Sequence, residues 1–270
     1  MLHSRSQDIS IRAHRKYSDF FANVSRTASR ALLLDYDGTL ARFCTDPERA
    51  IPYAGVQALL DRIQASGDTR LVIVTGRRAM DAARLLGLKR IEVWGCHGLE
   101  RLHVDGTYEM PELDDRTLRA IERSDELLAS EGLSDLVEHK LAANAIPWRG
   151  LEPDAVSAVM RKVQAVWSML PDKAGLSLLK FDGGMEIRAA VRNKGDVVRT
   201  IVAEMGRGAS IAYLGDDQTD EDAFAALQGH GLSVLVNDSY RPTVADVWVR
   251  PPEGVIAFLA DWVTACEGAS

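Results

Sequence analysis

Cysteine is scarce in this chain: only Cys44, Cys96 and Cys266 occur in 270 residues. Three is too few, and odd, for a disulfide framework, so a reduced, cytoplasmic compartment is expected. No apolar run is long enough to cross a bilayer, and the N-terminus lacks the apolar centre of a secretory signal. A membrane partner is therefore not expected. An excess of basic charge is also missing, since the net charge is −7 and the isoelectric point about 5.4. That argues against a nucleic-acid partner, which selects for a basic face. An anionic small molecule stays open, because a metal and a few local cations reverse the field within one cleft. There is no internal repeat and no low-complexity tract. At 46% hydrophobic and 26% charged, the composition is that of an ordinary globular protein. The sequence leaves the oligomeric state open, with a monomer the expectation.

What is present is organised around Ala31 to Leu40, A-L-L-L-D-Y-D-G-T-L. A short apolar run ending at a turn signal reads as a strand buried on both faces, and Gly38 lets the chain turn. Asp35 and Asp37 are two apart, so in extended chain their carboxylates leave the same side. Such a pair repels unless a cation sits near it, and a hard divalent cation with oxygen ligands suits it. The plain alternative is a solvated acidic turn.

Residues 1–25 read as a polar tail followed by a short helix, on the helical spacing of Tyr17, Phe20, Phe21 and Val24. Beyond the Asp35 strand, Val56 to Ala65 is an amphipathic helix closed by Gly67. Leu71 to Val74 is a second buried strand, ending in Thr75-Gly76-Arg77. A helix then stops at Gly87, and Ile91 to Trp94 is a third strand, ending in Gly95-Cys96-His97-Gly98. Alternating strands and helices mark a parallel sheet with helices on both faces. The pattern then changes. Arg101 to Tyr108 is a hairpin about Asp105-Gly106, Leu113 to Leu128 and Pro153 to Leu170 are helices, and Leu136 to Trp148, Leu176 to Phe181 and Met185 to Arg188 are strand-like. The first pattern resumes with a helix over Asp196 to Met205 and a strand over Ser210 to Leu214, ending in Gly215-Asp216-Asp217. A helix over Asp220 to Leu227, a strand over Leu232 to Val236, an edge strand over Val244 to Val249 and a helix over Gly254 to Thr264 follow. The expected fold is α/β, a Rossmann-like parallel sheet core over 26–110 and 188–270, with an α+β insertion at 111–187.

Ligands of open parallel sheets bind beyond the carboxyl ends of the strands. Those ends carry Asp35 and Asp37, Thr75, Gly95 to Gly98, and Asp216 and Asp217. In Gly215 to Phe224, G-D-D-Q-T-D-E-D-A-F, acids at a helix start account for Asp220, Glu221 and Asp222 but not for the two aspartates at the strand end. An EF-hand loop is excluded, because its sixth position needs Gly and Glu221 stands there. Lys194, in Asn193-Lys194-Gly195-Asp196, opens a helix, where a lysine and free N–H groups hold phosphate; taken alone, a surface lysine is the ordinary reading. Thr75 and Gly76 offer a hydroxyl and an amide to a phosphate oxygen.

In order, these motifs resemble the haloacid-dehalogenase superfamily, and more closely its trehalose-6-phosphate phosphatase family. The shared stretches are D-Y-D-G-T-L (35–40), T-G-R (75–77), G-x-H-G (95–98), E-x-K (138–140), E-I-R (186–188), N-K-G (193–195) and G-D-D-x-T-D-E-D-A-F (215–224). The resemblance implies a HAD-like core with a cap, and a phosphatase acting on a sugar phosphate. Asp35 would be the nucleophile, and Asp37 the acid and then the base. Mg²⁺ would sit on Asp35, the Asp37 backbone carbonyl and Asp216, with Asp217 and Asp220 orienting its ligands. Thr75, Gly76, Arg77 and Lys194 would hold the phosphoryl group. Glu138, Lys140, Trp148, Arg149 and Glu186 would be the cap's sugar contacts. The chain departs from the family at Pro147-Trp148, where His-Tyr is usual, which opens other disaccharide or glycosyl phosphates as substrates. A phospho-accepting regulatory module is the rival of another class; it would need neither Asp37 nor a large insertion.

Overall fold

The computed structural model describes residues 14–44, 46–88, 90–170, 175–181 and 183–268. The tail expected before the first helix, and Asp182, lie outside the described residues. In chain order the elements are α1 (His14–Val24), β1 (Arg30–Leu34), α2 (Val56–Ala65), β2 (Thr69–Val74), α3 (Ala79–Leu86), β3 (Glu92–Gly95), β4 (Glu100–Leu102) and β5 (Tyr108–Glu109). Next come α4 (Asp115–Ser130), β6 (Glu138–Lys140), β7 (Ala143–Pro147), α5 (Pro153–Ser168), β8 (Leu176–Phe181) and β9 (Gly184–Ala189). The chain closes with α6 (Lys194–Met205), β10 (Ser210–Gly215), α7 (Glu221–Leu227), β11 (Gly231–Val236), β12 (Val247–Val249) and α8 (Glu253–Glu267). It divides into two compact units, one of Met1–Met110 with Asn193–Ser270 and one of Pro111–Arg192.

In the first unit the sheet order is β12-β11-β10-β1-β2-β3-β4-β5. β1 lies between β10 and β2 and runs parallel to both. All its residues are buried, and successive side chains point to opposite faces. Leu32 and Leu34 enter a core built with Val56, Leu60 and Ile63 of α2, Ala79 and Ala82 of α3, and Phe258 and Trp262 of α8. Ala31 and Leu33 enter a second core with Val197, Val198 and Ile201 of α6 and Ala223 and Phe224 of α7. An apolar run without alternation thus serves two cores at once.

The sheet departs from an all-parallel one at β3. β4 pairs antiparallel with β3, and β5 antiparallel with β4. The link from β3 to β4 is only the 96–99 turn, far short of the dozen or more residues a parallel crossover needs. The C-terminal edge strand is shorter than the pattern suggests, Val247–Val249 rather than from Val244, because only those residues pair with β11. α6 starts at Lys194 rather than Asp196. The Asn193 side chain accepts the Asp196 N–H at 2.9 Å while the Asp196 carboxylate accepts the Asn193 N–H at 2.9 Å, a capping box that makes Lys194 the first helical residue.

The second unit is an antiparallel sheet, ordered β6-β7-β9-β8. Leu136 to Trp148 folds as a hairpin of β6 and β7 rather than as one strand. Its turn is Leu141-Ala142, with Ala142 at φ 54° and no Gly or Asn to announce it. Register places Ile146 beside Met185, and Ile187 beside Leu178. Ile146, Met185 and Ile187 build one core with Leu128 of α4 and Val163, Val166 and Trp167 of α5. The same register gives Glu138, Lys140, Ala143, Ala145, Glu186 and Arg188 to the opposite face. The unit extends to Arg192 rather than 187, because β9 pairs with β7 and β8 through Arg188 and Ala189.

α1 joins the first core through rings: Tyr17 and Phe21 lie 5.8 and 5.2 Å from Phe258. Phe258 is fully buried, so Phe258→Ala is expected to cost about 3–5 kcal/mol. Urea denaturation checks it: the midpoint should fall with the slope unchanged.

Candidate active site

β10, β1, β2 and β3 are parallel neighbours, so their carboxyl ends share one edge of the sheet. The residue after each strand sits where the ladder stops and a side chain is free to turn toward a ligand. Asp35 keeps one last backbone bond, its N–H donating to Leu214 O at 2.9 Å. Lys194 reaches this edge from α6 and donates to Asp35 Oδ1 and Asp220 Oδ1, both at 2.8 Å. One oxygen each of Asp35, Asp216 and Asp220 lie within 4.8 Å of one another. Segments far apart in sequence therefore converge on one buried cluster.

The roles within the cluster differ. Asp220 is fully buried. Its Oδ1 accepts from Lys194 and from the Tyr213 hydroxyl at 2.6 Å, and its Oδ2 from the N–H groups of Asp216 and Asp217 at 3.1 and 3.0 Å. With four donors on two oxygens it anchors the others instead of offering a ligand atom. Gly215 allows this, since a Cβ there would lie 2.3 Å from Asp220 Cγ. The acids at the start of α7 are thus not all a solvated helix start. Asp217 caps the 3-10 turn before α7, its carboxylate accepting the Gln218 N–H. Arg241 donates to the carbonyls of Asp216 at 3.2 Å and Asp217 at 2.9 Å, holding the strand end from outside.

Three buried carboxylates face one ammonium. Burial pushes Asp35 up from 3.8 to about 7; Lys194 opposes this and Asp220 adds to it. Burial, then Asp35 and Asp220, hold Asp216 well above the usual carboxylate range. Burial alone would depress Lys194, but Asp220 and Asp35 raise it above its ordinary value. The cluster is short of positive charge, and its donors are all hard oxygens. Asp35 and Asp216 fit a hard divalent cation, with Asp220 and Lys194 steering them.

Thr75 is fully buried at the end of β2, and its Oγ1 accepts the Arg77 N–H at 3.1 Å. Gly76 lies under the His97 ring. Arg77, expected on the phosphoryl group, grips Asp37: Nε donates to Oδ2 at 2.6 Å and Nη2 to Oδ1 at 2.7 Å. A guanidinium fork matches a carboxylate in this bidentate way, and a third donor, Nη1, reaches Pro47 O at 2.8 Å.

In the second unit Lys140 donates to Glu186 at 2.8 Å, with Glu186 buried; Glu138 shares their sheet face and is exposed. Arg149 packs over Gly183, where a Cβ would lie 2.3 Å from Arg149 Cγ. Trp148, expected among the sugar contacts, belongs to the apolar core with Leu128, Val163 and Trp167. It follows Pro147, which shares the face of Glu186, so strand parity turns it to the other side.

Sequence reasoning missed Tyr213, Arg241 and Thr39, whose hydroxyl donates to Asp35 Oδ2 at 3.4 Å. Tyr213 had a signal, a hydroxyl inside a buried strand; Arg241 had none, lying in a loop.

Similar folds define the class. A haloacid dehalogenase-like hydrolase from B. subtilis superposes with a TM-score of 0.57 at 16% identity, over 86% of this chain and 99% of that one. The trehalose-6-phosphate phosphatase C-terminal domain of C. albicans superposes at 0.78 and 20% identity, over 92% of this chain and 96% of that one. The fold is that of the haloacid-dehalogenase superfamily. Residues 33–246 match the pattern of the Trehalose-phosphatase family, and the chain belongs to that family. A trehalose-phosphate phosphatase of Mycobacterium marinum is 31% identical over 241 residues, which is 84% of this chain and 60% of that protein's length.

Gly38 is the tightest point of the edge. Its φ is +83°, and a Cβ there would lie 2.1 Å from Asp216 Oδ2. Gly38→Ala is therefore expected to lower stability by more than about 1 kcal/mol, read as a drop in the thermal midpoint. An unchanged midpoint would contradict this close approach.

Proposed function

We propose that this chain is a Mg²⁺-dependent phosphatase that releases trehalose from trehalose 6-phosphate through an aspartyl-phosphate. The observation that carries the reading is the buried cluster of Asp35, Lys194, Asp216 and Asp220 at the sheet edge. Family membership, and the names of the relatives, supply the sugar.

In this reading an Asp35 oxygen attacks phosphorus in line and the bond to the sugar oxygen breaks. Asp37 gives that oxygen its proton, since a sugar alkoxide leaves poorly unprotonated. Asp37 then takes a proton from water as the water attacks phosphorus and the bond to Asp35 breaks. Thr75 and Lys194 hold phosphoryl oxygens where charge develops. Asp35, Asp216 and the Asp37 carbonyl would hold Mg²⁺, which neutralises charge between nucleophile and phosphate. The sugar contacts come from the second unit: Glu138, Lys140 and Glu186 on its polar sheet face, and Arg149. With Trp148 in the core, the departure that opens another disaccharide rests on Pro147, which shares the face of Glu186.

Phosphate release from trehalose 6-phosphate is expected with Mg²⁺ and absent with EDTA; release indifferent to chelation would sink the mechanism. Asp35→Asn should cut turnover by at least ~10³-fold. Its melting temperature should hold or rise, because one of three crowded carboxylates becomes neutral.

A further inference from the structure

The Gly95–Gly98 turn has no part in the chemistry above, yet it is the most strained stretch at the edge. Cys96 and His97 have φ 48° and 58°, consecutive non-glycine residues in left-handed backbone. Such backbone is disfavoured and persists only where its surroundings force it. Here they do. The Cys96 N–H donates to Arg77 O at 2.7 Å, and the His97 N–H to Thr75 O at 2.8 Å. Just beyond the turn, the Glu100 carboxylate accepts the N–H of Ala79 at the start of α3. The His97 imidazole covers Gly76: a Cβ at Gly76 would lie 2.7 Å from Nε2. The far side of the turn meets α6. A Cβ at Gly98 would lie 2.6 Å from Val197 Cγ2 and 3.2 Å from Asn193 O. One rigid turn is thus wedged between the segment carrying Thr75 and the segment carrying Lys194.

We propose that His97 is a positioning residue, and that its turn sets the spacing between the Thr75 hydroxyl and the Lys194 ammonium to fit a phosphoryl group. The proposal rests on the phosphatase reading. The imidazole clamps Gly76 from above, the two backbone bonds clamp residues 75 and 77 from the side, and Gly98 braces the wedge on α6. Strain kept beside a site, in place of a relaxed glycine or asparagine, is the mark of a geometry held for function rather than stability.

Two variants test it. His97→Asn keeps a residue that tolerates left-handed backbone and removes the ring; His97→Gly removes both ring and strain. Inorganic phosphate binding is measured by titration calorimetry with Mg²⁺ present, beside kcat and KM for trehalose 6-phosphate and the melting temperature. Both variants should melt within a few degrees of the parent while binding phosphate about tenfold more weakly, since misplacement of about 1 Å suffices for that. Parent-like phosphate affinity in both overturns the proposal, as does a loss confined to melting temperature. A parent that turns over no sugar phosphate overturns the functional reading instead, and the phosphate titration still judges the turn.

Discussion

Lys194 stands between two buried carboxylates, and the arrangement of the sheet edge depends on it. Its ammonium is almost fully excluded from water, as are Asp35 and Asp220. Charges in such a place persist only when paired and fully hydrogen-bonded. Asp220 meets that condition, with donors on both oxygens, and so fixes where the ammonium sits. Asp35 and Asp216 do not meet it to the same degree, which is why burial drives both toward the proton-bound form. The cost of ionising these two without a partner is the physical case for a divalent cation, and it would exist whatever the substrate.

Backbone geometry matters as much as charge. Gly38 and Gly215 let main chain approach the Asp216 and Asp220 carboxylates more closely than any Cβ would permit. The neighbouring positions are settled by parallel strands whose side chains fill cores on both faces. A well-packed sheet barely deforms, so the strand ends are fixed, and Asp220 and Arg241 hold the residues just past β10. The Cys96-His97 turn adds strain where packing alone leaves a loop free to relax.

The second unit follows a simpler rule. Strand parity sends one set of side chains into the core with α4 and α5 and leaves a polar set opposite. Trp148 shows how strictly parity acts: one residue beyond Pro147, a large aromatic expected among the sugar contacts becomes a core residue. Glu186 goes the other way, a charged residue buried on the polar face and balanced by Lys140.

Much of the fold was written in one dimension. Apolar runs without alternation, glycine stops and the order of strands and helices determined a parallel core interrupted by an α+β insertion, because helix and strand periods act over a few residues. The same runs determined which side chains end each strand, and so Asp35, Thr75 and Asp216 were legible as candidates at the strand ends. Partnership was not. That Arg77 takes Asp37, that Tyr213 and Lys194 share Asp220, that Arg241 holds the carbonyls beyond β10, and that β4 and β5 continue the sheet antiparallel were decided only by tertiary structure. Lys194 and Asp35 are 159 residues apart, and no local period spans such a gap. Which donor reaches which acceptor is settled when the strands pack, by the few directions that burial leaves open.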